Sequence, residues 1–386
     1  MKPSLLATFL LFLIAAAAHA ADPKPTGSAP AKAKPPLPAM TFDSRVQPLP
    51  HRYQGPFVKL PDGAIVGIDQ NTVIRSTDGG RTWTANEMFS ADQQKLLNLK
   101  VSDERALLRT RDGTLVLGCM NLNARKWTWD KKLHDAPGAE LPTWVMRSRD
   151  GGKTWSEVQK LHDAWTGAVR DLIQTKSGRI VMTSMKLLHD PGRHSVLTYV
   201  SDDDGKSWKA GNLIDLGGAG NHGGVTEPTV VELRDGRVWM IIRTNWGEFW
   251  SGYSVDNGRF FRVLQPSGIP ASSAPAIVKR LASGRLAMVW NLPHPEGQTS
   301  FPLRGGDNEW SEVPVSNHRG ELVLALSDDD GATWSRPAVI ARQPGASVAY
   351  PYIFEITPGR LWITTMQSGV RVQLAEADFV SAPGKR

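Results

Sequence analysis

Six short apolar runs recur along the chain, each meeting a polar turn that carries a glycine: LPDGAIVGI, TRDGTLVLG, TKSGRIVMT, LRDGRVWMI, LASGRLAMV and TPGRLWITT, with turn glycines Gly63, Gly113, Gly178, Gly236, Gly284 and Gly359. An apolar or alternating run such as ALLRT or TVVEL precedes the turn and another follows it, which predicts a β-hairpin at each site. A second pattern, Ser-x-Asp-x-Gly-x-x-Trp, occurs at residues 76–83, 148–155, 201–208 and 327–334, and SVDNGRFF at 254–261 is a fifth copy ending in Phe. Successive copies start 72, 53, 53 and 73 residues apart, a spacing that marks a repeat architecture. In such a box Asp accepts bonds from backbone amides, Gly takes a conformation costly to other residues, and the aromatic packs between sheets. Asp78, Asp150, Asp203, Asp256 and Asp329 are therefore expected in structural turns, away from any reacting centre.

Five boxes and six hairpins imply six units, the last without a box. Between Phe42 and Val380 each unit has roughly 57 residues, which suits a four-stranded blade with its loops. The expected fold is an all-β, six-bladed propeller over 42–380, with strands from 42–48 and 370–380 pairing to close the ring. A solenoid is the alternative; the count that stops at six and the half-unit at the end favour the ring. Blade packing accounts for part of the 14 Trp, so their number is a weak sign of a sugar site. The longest excursions between a hairpin glycine and the next box centre on 119–143 and 291–317, rich in aromatic, His and charged residues, and each reads equally as the border of a recognition cleft or as a solvated excursion.

The ends read differently. Lys2, the run LLATFLLFLIAAAA and AHA at 18–20 have the three parts of a signal peptide, residues 1–20, whose apolar segment is shorter than a membrane span. Export to the periplasm or the exterior is expected, followed by a Pro/Ala/Lys-rich linker over 21–41, and residues 381–386 form a short tail. Cys119 is the single cysteine of 386 residues, which excludes an internal disulfide and a Cys-based zinc cluster, so a buried thiol is expected. The formal charge of +7 is dispersed, and with export this argues against nucleic acid as a partner. Dinucleotide-binding, P-loop and nucleophile-elbow glycine motifs are missing, and no cofactor is expected; calcium in a loop and the oligomeric state are left open.

Candidate chemistry lies where inner strands begin. Nine residues before Gly236 stands Glu227, and nine before Gly359 stands Tyr350, so two blades present a carboxylate and a phenol at one register. Around a propeller axis such positions converge, and the carboxylate can activate the phenol as a nucleophile. Arg243 in VWMIIRTNW, Arg319 in NHRGELVLALS and Arg52 in PHRYQGPF have positions compatible with the same cleft, where guanidiniums suit a carboxylate ligand. Singly, each Arg also reads as a surface or blade-bridging ion pair, and Glu227 as a loop brace.

These residues resemble the sialidase (neuraminidase) superfamily over about 42–380. TEPTVVELRDGRVWMIIR reproduces the family's strand-start Glu, Asp-Gly turn and second arginine of a carboxylate-binding triad, here Glu227 and Arg243. The third arginine looks like Arg319 and the Tyr nucleophile like Tyr350. HRYQGPF stands where the family has Arg-Ile-Pro, so Arg52 matches only with a shift; Asp69 in GIDQNTVIRSTDGG is the remaining candidate for the family's Asp acid/base, and Gln367 lies where a supporting Glu is common. The resemblance implies retaining exo-hydrolysis of a terminal carboxylated sugar, with Arg52, Arg243 and Arg319 holding the carboxylate, Glu227 taking the Tyr350 proton, Tyr350 attacking the anomeric carbon and Asp69 as acid/base. The expected partner is an acidic glycan or glycoconjugate. Hydrolysis or lysis of another acidic glycan, with His222, His189, His194 or His318 as acid/base, and a noncatalytic glycan-binding propeller are the alternatives.

Overall fold

In a computed structural model that describes residues 36–380, the hairpins and boxes fall into six antiparallel blade sheets, five of four strands and one of five. The first blade has strands Phe57–Lys59, Ile65–Asp69, Thr72–Ser76 and Thr84–Glu87, and the second Val101–Arg109, Leu115–Asn121, Glu140–Ser148 and Ser156–Ala164. The third has Leu172–Gln174, Ile180–Leu188, Arg193–Ser201 and Lys209–Ala210, and the fourth Thr226–Glu232, Val238–Arg243, Glu248–Ser254 and Val263–Pro270. The fifth has Ile277–Arg280, Leu286–Trp290, Glu321–Ser327 and Ala338–Arg342; the sixth has Pro351–Thr357, Arg360–Thr365 and Arg371–Ala375. Each first strand packs against the first strands of the blades on either side, and that of the sixth packs against that of the first. The result is a closed six-bladed propeller.

Gln47–Pro48 supplies the sixth blade's outer strand, pairing Gln47 with Gln373 and Pro48 with Val372. The sixth unit has no box because its outer strand comes from the other end of the chain. Just upstream, Thr41–Phe42 adds an edge strand to the fifth blade. The expected signal peptide, the linker as far as residue 35 and the tail 381–386 lie outside the described residues. Among the described residues no helix is long and apolar enough to cross a membrane.

The core is divided among the blade interfaces. Val66, Leu117 and Trp155 share one apolar cluster between the first two blades, and Leu49, Phe57 and Trp362 share another where the ring closes. The boxes occupy turns between third and fourth strands. In the first, Gly80 N donates to Ser76 Oγ at 2.9 Å, Thr82 N donates to Asp78 Oδ1 at 2.9 Å, and Trp83 Nε1 donates to Gly80 O at 3.0 Å. Gly331 is required in the fifth box by its φ of +87° and because a Cβ there would stand 2.5 Å from the Trp239 ring of the neighbouring blade. All five box Asp residues accept such turn bonds, and none of them lines the axial cavity described next.

Candidate active site

The connections that enter the inner strands bring their residues toward the ring axis. Glu227 is the second residue of Thr226–Glu232, and Tyr350 directly precedes Pro351–Thr357. Both take the left-handed backbone conformation, φ 49° and 63°, which costs a non-glycine residue roughly 1–2 kcal/mol. Strain of this kind persists where surrounding packing fixes it, and it is concentrated at functional sites. Although they belong to the fourth and sixth blades, the two side chains meet: Tyr350 Oη donates to Glu227 Oε1 at 3.0 Å.

Two of the expected arginines join them. Arg243, ending the fourth blade's second strand, donates from Nη1 to the other Glu227 oxygen, Oε2, and from Nη2 to Ser273 Oγ at 2.8 Å. Arg319, just before Glu321–Ser327, donates from Nη2 to the Ser273 carbonyl at 2.6 Å and from Nη1 to Gln367 Oε1 at 3.4 Å. Its guanidinium carbon lies 5.4 Å from the Tyr350 ring centroid. Ser273 thus ties both guanidiniums to one inner-strand entrance.

Two further residues at this centre escaped the sequence reading, although the register signals them. Glu104 is nine residues before Gly113, the offset of Glu227 and Tyr350, and Arg170 is eight before Gly178. Both are buried. Arg170 lies 5.4 Å from the Tyr350 ring centroid and 5.0 Å from that of Tyr352, and donates to the Pro351 carbonyl at 2.9 Å. Glu104 Oε2 has no hydrogen-bond partner among the described residues.

Burial pushes the Glu104 carboxyl up to about 8, reinforced by the Glu227 charge and opposed by Arg170, Arg243 and Arg319. For Glu227 burial also pushes upward, but the charge and hydrogen bond of Arg243, then Arg319 and Arg170, leave its carboxyl below the usual range. At neutral pH the pair therefore holds one negative charge, on Glu227. Burial, then Glu227, raises the Tyr350 phenol to about 12, so a neutral hydroxyl faces a carboxylate that can take its proton.

Above this centre opens a cavity of about 440 Å³ with Glu227, Arg243, Arg319 and Tyr350 in its lining. Both long excursions reach it: Trp127 from the second blade and Trp310 from the fifth are wall residues. Trp127 packs on Trp165 with centroids 4.3 Å apart, and His222 stacks on Trp310 at 5.1 Å and 19°. His194, also in the wall, is buried and its imidazole is held below its ordinary pKa by that burial. His189 instead pairs with Asp135 at 2.9 Å, and His318 contacts the Leu292 carbonyl at 3.1 Å. Neither lines the cavity.

The structure does not bring Arg52 or Asp69 to this cavity, which corrects two expectations. The position nine residues before Gly63 is Gln54, whose amide turns to the Asp103 carbonyl at 2.8 Å. Arg52, two residues earlier, is exposed, with its guanidinium over the Tyr53 ring at 5.4 Å. Asp69 pairs with Thr72 across a two-residue turn, too short to extend toward the axis, and borders a separate polar surface pocket with Lys100 and Asn123.

The chain is thus a closed propeller with a phenol, a carboxylate and guanidiniums at its axis, and known proteins share this architecture. Residues 67–363 match the model of the BNR repeat-like domain family, and the chain belongs to that family as a propeller of the sialidase superfamily. A sialidase of Micromonospora viridifaciens is 27% identical over 331 residues, covering 77% of this chain and 46% of its own length, so the chain spans under half of that relative. Among solved structures, a Hadza microbial sialidase superposes with a TM-score of 0.58 at 19% identity, covering 84% of this chain and 65% of that one. An α-L-arabinofuranosidase of Fusarium graminearum superposes with a TM-score of 0.55 at 14% identity, covering 89% and 99%. These structural likenesses establish the fold.

Proposed function

We propose that the protein is a retaining glycoside hydrolase that releases a carboxylated sugar from an acidic glycan, with Tyr350 as nucleophile. The observation that carries this reading is the Tyr350–Glu227–Arg243 chain of hydrogen bonds at the floor of the cavity, with Arg319 against the phenol ring. Arg243 and Arg319 bind the sugar carboxylate. Glu227 takes the phenol proton as Tyr350 attacks the anomeric carbon and the aglycone leaves with the electrons of its C–O bond, protonated by solvent; water then displaces the Tyr350 oxygen, which recovers the proton from Glu227. A phenol suits this task because, neutral before attack, it does not repel the substrate's carboxylate as an ionised Asp or Glu would. The resemblance to sialidases favours sialic acid as the sugar, and the scheme needs no resident metal or cofactor.

The surface position of Arg52 favours a second reading, an acidic sugar other than sialic acid, because of the three arginines expected to hold the carboxylate only Arg243 and Arg319 line the cavity. The position of Asp69 has its own consequence. Glu227 is the only carboxylate among the described cavity-lining residues, and it is committed to Tyr350 and Arg243. Departure of the aglycone then depends on its own acidity, so aryl glycosides are cleaved far faster than alkyl ones. The test is product analysis by NMR against aryl and natural glycosides of sialic acid, its deaminated analogue and uronic acids: release of a free acidic sugar with retained anomeric configuration supports the reading. Binding without product from any of them, or an unsaturated uronic product, overturns it.

A further inference from the structure

Charge on the cavity wall is more positive than one carboxylate requires. Its lining includes Arg125, Arg243, Arg304 and Arg319 against the single carboxylate of Glu227. Arg243 and Arg319 are committed at the floor. Arg125 and Arg304 are exposed residues of the two long excursions, one from the second blade and one from the fifth.

Neither behaves as an ordinary surface arginine. The Arg125 guanidinium carbon lies over the Trp165 ring at 5.7 Å and that of Arg304 over the Trp310 ring at 5.0 Å, and both of these Trp are cavity residues. An indole beneath a guanidinium restricts its orientation while leaving its N–H edges open to a ligand. Among the described residues neither guanidinium has a carboxylate within 4.0 Å, whereas the acids nearby in sequence are taken: Lys126 pairs with Glu140 at 2.8 Å and Lys131 with Glu309 at 3.4 Å. The second of these pairs links one excursion to the other. Glu312 accepts from Trp246 Nε1 at 3.0 Å and from the Ala219 amide at 3.3 Å. The excursions are thus joined to each other and to the fourth blade, and they present two unpaired guanidiniums to one cavity.

We propose that Arg125 and Arg304 form a second anion-binding subsite at the rim, and hence that the substrate is an oligosaccharide segment of a polyanionic glycan, bearing a carboxylate or sulfate in addition to the carboxylate bound at the floor. This rests on the reading of the floor as a carboxylated-sugar site, and it specifies the substrate class. Planar guanidinium edges take carboxylate and sulfate oxygens in the same way, so the source of the second anion is separated by experiment.

The test is calorimetric binding to the full chain and to the double variant Arg125→Gln/Arg304→Gln, whose melting temperature confirms folding. The probes are glucuronate as a single anion, tetragalacturonate with carboxylates alone, and a chondroitin sulfate tetrasaccharide with both groups, each at low and high salt. The tetrasaccharides are expected to bind at least about tenfold more tightly than glucuronate at low salt, to lose this advantage in the double variant, and to show a shallower salt dependence there, while glucuronate binding is unchanged. A preference for one tetrasaccharide identifies the second anion. Equal affinity of wild type and double variant for both tetrasaccharides, or no advantage over glucuronate, overturns the proposal. Because the readout is binding, an absence of hydrolysis would refute the catalytic reading and leave the rim assignment standing.

Discussion

Glu104 offers a test that reads the buried charge balance directly. Its carboxyl is buried, lacks a partner for Oε2 among the described residues, and is raised from 4.5 to about 8 by burial and by Glu227. Between those values the folded chain keeps a proton that the unfolded chain releases. Stability from this group is therefore fully present below pH 4.5 and is lost as pH rises through about 8. One retained proton gives a slope of at most about 1.4 kcal/mol per pH unit, reached between the two values. A change on the order of 2–4 kcal/mol relative to Glu104→Gln is expected between pH 5 and 8, since the amide has no proton to lose. Urea unfolding followed by Trp fluorescence on both proteins across this range gives the difference. Wild type should lose ground to the variant as pH rises; a difference that is flat in pH, or that moves in favour of wild type, would refute a neutral Glu104 in the folded protein.

Other outcomes follow from the same geometry. Tyr350→Phe should leave the fold and ligand affinity largely intact while kcat falls on the order of 10³-fold or more, and Glu227→Gln should lower kcat by roughly 10²–10⁴; folded variants with wild-type turnover on the identified substrate would remove the pair from the mechanism. His162, held between Tyr199 and Thr166, is lowered from 6.5 to about 4 by burial and then by the Lys186 charge. Its contribution to stability is present above pH 6.5 and lost as pH falls toward 4, so His162→Gln should flatten the acid side of the stability curve, as measured by melting temperature. Gly331→Ala combines a positive φ with a Cβ 2.5 Å from Trp239, and should cost about 2 kcal/mol or more in urea unfolding with little change in the cavity's ligand affinity.

The fold was legible because its signals repeat. Six glycine turns and five boxes carry the same local physics in every blade, and even the missing sixth box corresponds to the outer strand supplied by Gln47–Pro48. At the site, a shared offset brought out Glu227 and Tyr350, which share a left-handed backbone conformation and whose side chains meet. The same offset applied to the second and third blades points at Glu104 and beside Arg170, and it places Gln54 where Arg52 was expected. Family resemblance drew attention to an arginine two residues out of register, while backbone register decides which side chain faces the axis. The pairing of Arg125 with Trp165 and of Arg304 with Trp310 was hidden for another reason: it depends on loops whose course is set by contacts such as Lys131–Glu309, between residues far apart in sequence.

The central claim is that Tyr350 bonds covalently to the sugar, and trapping tests it most directly. A fluorinated glycosyl fluoride of the released sugar, in which ring fluorine slows hydrolysis of the intermediate, would be incubated with the full chain and the protein mapped by peptide mass spectrometry. The account predicts a stoichiometric glycosyl adduct on Tyr350, absent in Tyr350→Phe and slower to form in Glu227→Gln. An adduct on Glu227 or on another residue, or inversion of anomeric configuration during turnover of the parent glycoside, would contradict it.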